Sequence, residues 1–188
     1  MKYVAVLDVE SMGLYGRAFS FGIVIGDIKG NILEEVYKYD QNAYNLSYTE
    51  ATGFNRTGDI EWVETNVTPH VGDSNTMWLS KAFYLDWLRL KSVYSGITLY
   101  ADVPFPVETN FIKHVVDCHV TTDKVFDFSP YPFLDVTSFR KAHNLPDYFD
   151  RLPNELPIHH PLMDARQSYR GLVEVFNIMS LQSNANRA

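Results

Sequence analysis

The chain opens with an uninterrupted apolar run, Val4 to Leu7, and then turns polar in DVESMGLYG. A short apolar run bounded this way predicts a buried strand, here Lys2 to Leu7. Ala18 to Ile28 (AFSFGIVIGDI) predicts a second strand and Ile32 to Tyr39 (ILEEVYKY) a third. The turn-rich link DIKGN, Asp27 to Asn31, joins those two as a hairpin. Periodicity then fades: Asp40 to Asn75, rich in Asn, Thr and Gly, reads as a long irregular excursion with a short helix near Trp62. Ser74 or Asn75 can cap the next element. That element, Thr76 to Lys91, is a strongly apolar helix carrying Leu79, Phe83, Leu85, Trp87, Leu88 and Leu90. Gly96 to Ala101 predicts a fourth, buried strand, and Pro106 opens a helix over Val107 to Cys118 with Phe111, Ile112, Val115 and Val116 on one face. A short strand or turn at Phe133 to Val136, a short helix at Thr137 to His143 and an amphipathic helix at Asp164 to Met179 complete the pattern. This order predicts an α/β fold in one domain, a mixed sheet flanked by helices. Sites in such sheets gather beyond the strand ends.

The 188 residues, 46% of them hydrophobic, suit one core; residues 1–180 form the expected domain and 181–188 a polar tail. One cysteine, Cys118, excludes an internal disulfide framework and a Cys-based zinc site. Asp8 and Glu10 interrupt the opening run too early for a signal peptide, and no run reaches membrane length. The expectation is a cytoplasmic protein without a membrane partner, in which the N-x-S/T matches at Asn45, Asn55 and Asn66 carry no glycosylation meaning. A net charge of −7 argues against a broad basic nucleic-acid surface. It leaves room for a local grip, because carboxylates gathered around metal ions add negative charge that the ions would cancel. No Gly-rich phosphate loop and no G-x-S-x-G elbow is present, which removes support for a P-loop enzyme or a serine hydrolase.

The acids carry the candidate chemistry. Side chains alternate along a strand, so Asp8 and Glu10 point to one side. Two carboxylates there can share divalent cations, which prefer oxygen ligands; the same pattern also fits a strand end reaching solvent. Asp102 directly follows the buried run ITLYA. Glu108 lies in the first turn of the next helix, where the dipole favours an acid, yet on the face of Phe111 and Ile112. Near the end, LPIHHPLMDARQSY sets His159 and His160 between Pro157 and Pro161, with Asp164 opening a helix. His70, His114, His119 and His143 lack ligand spacing and read as surface or helix residues.

DVESMGL resembles the first motif of the DEDDh 3′–5′ exonucleases (DnaQ-like), D-x-E-T-x-G-L. HHPLMDA resembles their H-x-A-L-x-D-A. The resemblance runs from Asp8 to the last helix and implies a ribonuclease H-like fold. It further implies that Asp8, Glu10 and Asp164 bind two divalent ions, Mg²⁺ or Mn²⁺, with His159 as general base. Leu14 matches the position that wedges against terminal bases, with Gly13 and Met12 beside it in the substrate-binding loop; a core or loop leucine fits that position as well. The implied substrates are 3′ ends of single-stranded RNA or DNA, released as nucleoside 5′-monophosphates. The middle motif departs from the pattern: ADVPFPVETNFI offers Asp102 by residue type and strand-end position, and Glu108 by its spacing to Phe111 and Ile112. Either can be the third acid. A non-catalytic nucleic-acid or protein-binding module on the same fold is the alternative, and its mark would be a broken acid set; a proofreading subunit held by a polymerase is a third reading, with no docking tail to support it.

Overall fold

Alternation along the first strand sets the layers. In β1 (Tyr3–Ser11), Ala5, Leu7 and Val9 face one way, and Val4 and Val6 the other. The structure, a computed structural model, describes residues 3–72, 76–128 and 130–185, with side chains through 183. β1 pairs antiparallel with β2 (Ala18–Asp27), and β2 with β3 (Ile32–Tyr39). On its other edge β1 pairs in parallel with β4 (Thr98–Ala101), which pairs in parallel with β5 (Phe133–Asp135). The sheet order is therefore β3-β2-β1-β4-β5, with β1 at the centre. The hairpin expected at Asp27 to Asn31 closes through Asp27 Oδ1, which accepts from the Lys29 and Asn31 amides.

One face of the sheet is covered by α3 (Leu79–Val93) and α4 (Val107–His119), whose Phe83, Trp87, Leu90, Phe111 and Val115 pack on Leu7, Phe21 and Ile23. The other face takes α7 (Pro161–Ala185), whose Ala165, Tyr169 and Leu172 lie on Val4, Val6 and Val24. α5 (Val125–Phe128) and α6 (Val136–Ala142) are short and flank β5. No helix among the described residues is long and apolar enough to cross a membrane.

The segment after β3 is not irregular. It forms α1 (Gln41–Gly53) and α2 (Thr57–Asn66), which close a third core cluster with Met12, Phe19, Tyr39, Ala51, Ile60 and Val63. Each helix buries only two residues, Ser47 and Ala51 in α1 and Ile60 and Val63 in α2, so neither writes a clear apolar stripe. The cap is Asp40, 3% exposed: Oδ1 accepts from Asn42 N and Ala43 N at the start of α1, and Oδ2 accepts from Leu79 N at the start of α3. One carboxylate thus satisfies orphan donors of two helices. Ser74 and Asn75, the expected caps, lie outside the described residues, as does Lys2; α3 begins at Leu79 rather than Thr76. The last helix starts at Pro161 and continues to Ala185, through the first residues of the expected tail; 186–188 lie outside the described residues.

Gly22 lets α7 come down onto the sheet. A Cβ there would run into the backbone of Pro161 and Leu162, in the first turn of α7. Backbone cannot step aside as a side-chain tip can, so Gly22→Ala should cost on the order of 3 kcal/mol, the upper end of overpacking costs. Chemical denaturation checks this; a loss under about 0.5 kcal/mol, the range of a neutral surface change, would show that α7 is not seated on β2 in this way.

Candidate active site

The row that begins with Val4 and Val6 on the α7 face continues, two residues at a time, to Asp8 and Glu10. It thereby reaches the first turn of α7, which carries Asp164. Glu10 is buried, and Asp8 partly so. A ligand atom of each of Glu10, His159 and Asp164 lies within 4.8 Å of the others. Burial pushes the Asp8 carboxyl well above its ordinary value, and the charges of Asp164, Glu10, Glu108 and Asp102 add to it in that order. Glu10 is raised likewise, by burial and then by Asp164 and Glu108. Asp164 is raised by burial and held back by Arg151 and His159.

The two candidates for the third acid separate cleanly. β4 stops pairing with β1 at Val6, which leaves the Val9 N–H without a strand partner on that side. Glu108 fills the gap: it is 7% exposed, and its Oε1 accepts from Val9 N at 3.2 Å. Burial pushes it up to about 7 despite that bond. Asp102 is exposed, and its Oδ1 accepts from Thr137 Oγ1 at 2.6 Å, tying the end of β4 to α6. Glu108 therefore stands inside the acid cluster and Asp102 at its rim.

The two histidines also divide. His160 caps α7: its Nδ1 accepts from Leu162 N at 3.2 Å and its ring packs on Tyr37. His159 faces the acids and holds a left-handed backbone, φ 61°, which non-glycine residues adopt at a cost. Its backbone N–H donates to Asp164 Oδ2 at 3.1 Å, and its ring stands edge-on to Trp62, centroids 4.9 Å apart. Burial lowers the imidazole below its ordinary value, Asp164 opposes, and Arg151 adds to the lowering. His159 is therefore neutral at pH 7, with a lone pair available.

Spacing along the sequence does not mark Arg151. Its Nη1 donates to Asp164 Oδ1 at 2.5 Å and to the Glu155 carbonyl at 2.9 Å, and both charged side chains are 14% exposed. It is the counter-charge of the acid cluster. The loop bearing Arg151 and His159 is fixed in turn by Arg170 on buried Glu155 and by Arg166, which grips Glu35 through two bonds of 2.6 Å and the Asn154 carbonyl.

Beyond the acids opens a recess of about 280 Å³ walled by Glu10, Gly13, Leu14, Asp59, Trp62 and Val107. Gly13 has φ 69°, which favours glycine, and a Cβ on it would displace the Asp59 carboxylate. Leu14 is 63% exposed at the rim, so it is not a core residue. Met12, beside Gly13 and Leu14 in the loop, is fully buried in the third core cluster.

No family model matches the sequence, and no curated protein matches it. Solved structures do. Escherichia coli exonuclease I in complex with a dA16 oligonucleotide matches at TM-score 0.54 and 12% identity, over 96% of this chain and 43% of that one. The zinc-bound form of its complex with single-stranded DNA matches at TM-score 0.52 and 11% identity, over 93% and 39%. The metal-free form matches at 0.51 and 10%, over 96% and 42%. The chain has the fold of these exonucleases. It spans about two fifths of their length. That fold is the ribonuclease H-like α/β sheet expected from DVESMGL and HHPLMDA.

Glu108 holds its proton more tightly folded than unfolded. The stability this withdraws is absent below about pH 4.5 and complete above about pH 7. Metal-free protein should therefore lose stability as pH rises through that window, by up to about 3 kcal/mol from this group. Glu108→Gln keeps an acceptor for Val9 N and should be the more stable protein at pH 8 in EDTA. Urea midpoints at pH 5 and pH 8 check this; identical pH slopes for the two proteins would show that Glu108 does not titrate there.

Proposed function

We propose that the protein is a metal-dependent 3′–5′ exonuclease acting on single-stranded nucleic acid, RNA or DNA, and releasing nucleoside 5′-monophosphates. The observation that carries this reading is the carboxylate cluster of buried Glu10 and Glu108 and partly buried Asp8 and Asp164, with His159 beside it. Buried acids that raise one another's pKa are costly unless cations compensate them. Arg151 supplies one positive charge, which is fewer than the acids. Oxygen ligands in this density fit hard divalent ions such as Mg²⁺ or Mn²⁺. Asp8, Glu10, Asp164 and Glu108 would hold them. Bound there, such ions supply the positive charge that acidifies an attacking water and offsets charge on the scissile phosphate and leaving oxygen.

The residues of the chain do the rest. His159, neutral at pH 7, takes the water proton. Its backbone bond to Asp164 and its ring contact with Trp62 hold the imidazole over the acids. The recess lined by Leu14 and Trp62, about 280 Å³, takes the terminal nucleoside, with Trp62 as a face for its base and Leu14 as the wedge. Asp102 stays at the rim and serves the α6 junction.

Digestion of 5′-labelled RNA and DNA oligomers of one sequence, with Mg²⁺, Mn²⁺ or EDTA, tests activity, polarity, sugar preference and metal need together. A ladder shortening from the 3′ end is expected, absent in EDTA and in Asp8→Ala and Asp164→Ala. Undiminished cleavage in excess EDTA would rule out the mechanism.

His159→Ala should lose about 10²–10⁴ in turnover. The wild-type rate should rise with pH along a limb centred below the ordinary imidazole value, and that limb should vanish in the variant. His160→Ala should instead cost about 1 kcal/mol of stability, as a lost helix cap does. Near-wild-type turnover and an unchanged pH profile in His159→Ala would transfer the base role elsewhere.

A further inference from the structure

Three arginines serve the loop before α7, and they use their forks differently. Arg166 grips Glu35 through Nε and Nη2, and Arg170 grips Glu155 through the same two nitrogens. Both are closed pairs, in which a carboxylate fills the fork. Arg151 spends Nη1 alone, on Asp164 Oδ1 and on the Glu155 carbonyl. Its Nε–H and Nη2–H groups have no partner among the described residues, and neither nitrogen is sealed from solvent. A guanidinium has five donors. Nη1 spends two of Arg151's, so three remain in a planar array beside the acids.

The place of that array is fixed. Glu155, whose carbonyl takes one Nη1–H, is 2% exposed and is itself held by Arg170 and the Leu152 amide. Asp164 takes the other on one oxygen and the His159 backbone N–H on its second. No other arginine or lysine among the described residues pairs with Asp8, Glu10, Glu108 or Asp164. A phosphate drawn to ions on these acids brings negative charge of its own, and Arg151 is the fixed cation beside it. Donors already in place cost no reorganisation when the charge on a phosphate shifts.

We propose that Arg151 is a further catalytic residue of this site: Nη1 stays on Asp164 while Nε and Nη2 donate to nonbridging oxygens of the scissile phosphate. This rests on the exonuclease reading, and it adds a contact from the chain itself to those the ions would make.

Product binding isolates that contact from turnover. Thymidine 5′-monophosphate and thymidine are titrated into the full chain with Mn²⁺, and Mn²⁺ alone into the same proteins, by calorimetry. Arg151→Gln removes both the charge and the fork; Arg151→Lys keeps a cation for Asp164 and loses the fork. Each variant should lower monophosphate affinity by about tenfold to a hundredfold, the worth of hydrogen bonds to a charged group. Affinity for thymidine should be unchanged, and affinity for Mn²⁺ should fall in neither variant. A residue that serves only as counter-charge predicts wild-type monophosphate affinity in Arg151→Lys. That result, or a monophosphate loss matched by an equal loss for thymidine or for Mn²⁺, would overturn the proposal. Monophosphate affinity lost in both variants, with no cleavage of labelled oligomers by wild-type protein in Mn²⁺, would keep the phosphate contact and sink the exonuclease reading instead.

Discussion

Repulsion among buried carboxylates is the constraint on which the rest of the structure turns. Burial raises the cost of ionising Asp8, Glu10 and Asp164, and the Asp164 charge adds to it at Asp8 and Glu10. Nothing local favours bringing them together; the core does it. Val4, Val6 and Val24 pack against Ala165, Tyr169 and Leu172, and this apolar contact continues until it delivers the first turn of α7 to the end of β1. At roughly 25 cal/mol per Å² of apolar surface, a few fully buried side chains outweigh one carboxylate pushed up to about 7, as Glu108 is. The same packing leaves no room to relax, since Gly22 holds the α7 backbone on the sheet.

The loop from Asp150 to His160 meets a different demand. It must hold His159 in a left-handed conformation and Arg151 on Asp164, while its apolar residues Leu152, Leu156 and Ile158 stay exposed and anchor it little. Ion pairs fix it. Burial alone would raise Glu155, yet the hydrogen bonds and charge of Arg170, with the Leu152 amide, carry it below its ordinary value. A buried pair of this kind is weak evidence for added stability, but removing one partner typically costs about 3–5 kcal/mol. Its value here is geometric: two arginines one helical turn apart on α7, Arg166 and Arg170, clamp the loop at Asn154, Glu155 and Asp150.

Much of this was legible in the sequence because it is local. An apolar run ending in Asp8 and Glu10, alternation, and a proline-bounded His159 five residues before Asp164 all follow from strand and helix periods. The parts that were not legible depend on what packs from a distance. α1 and α2 bury two residues each, too few to mark a stripe, and their order comes from Asp40, whose carboxylate also reaches a helix thirty-nine residues on. Met12 reads as part of a substrate loop by motif position, yet it is core because α1 and α2 cover it. Spacing left Asp102 and Glu108 level, since what buries Glu108 and leaves Asp102 exposed is that β4 ends its pairing at Val6 and frees the Val9 amide for Glu108. Arg151 and Trp62 carry no pattern at all; only the folded chain brings them to Asp164 and His159.

Arg151 shows how such a site can exist in a chain that must also fold. With its guanidinium on Asp164 Oδ1 and the His159 amide on Oδ2, each carboxylate oxygen already has one donor. An ionised carboxylate oxygen has a second lone pair, so this arrangement satisfies Asp164 without closing it to a cation. A fully neutralised acid cluster would fold more easily and would have little use for a divalent ion. A cluster with no counter-charge would draw ions strongly and would bear its whole repulsion during folding. One arginine against several acids lies between these limits. It steadies the acid on α7 and leaves Asp8, Glu10 and Glu108 short of positive charge, which is the condition that the proposed site for divalent cations requires.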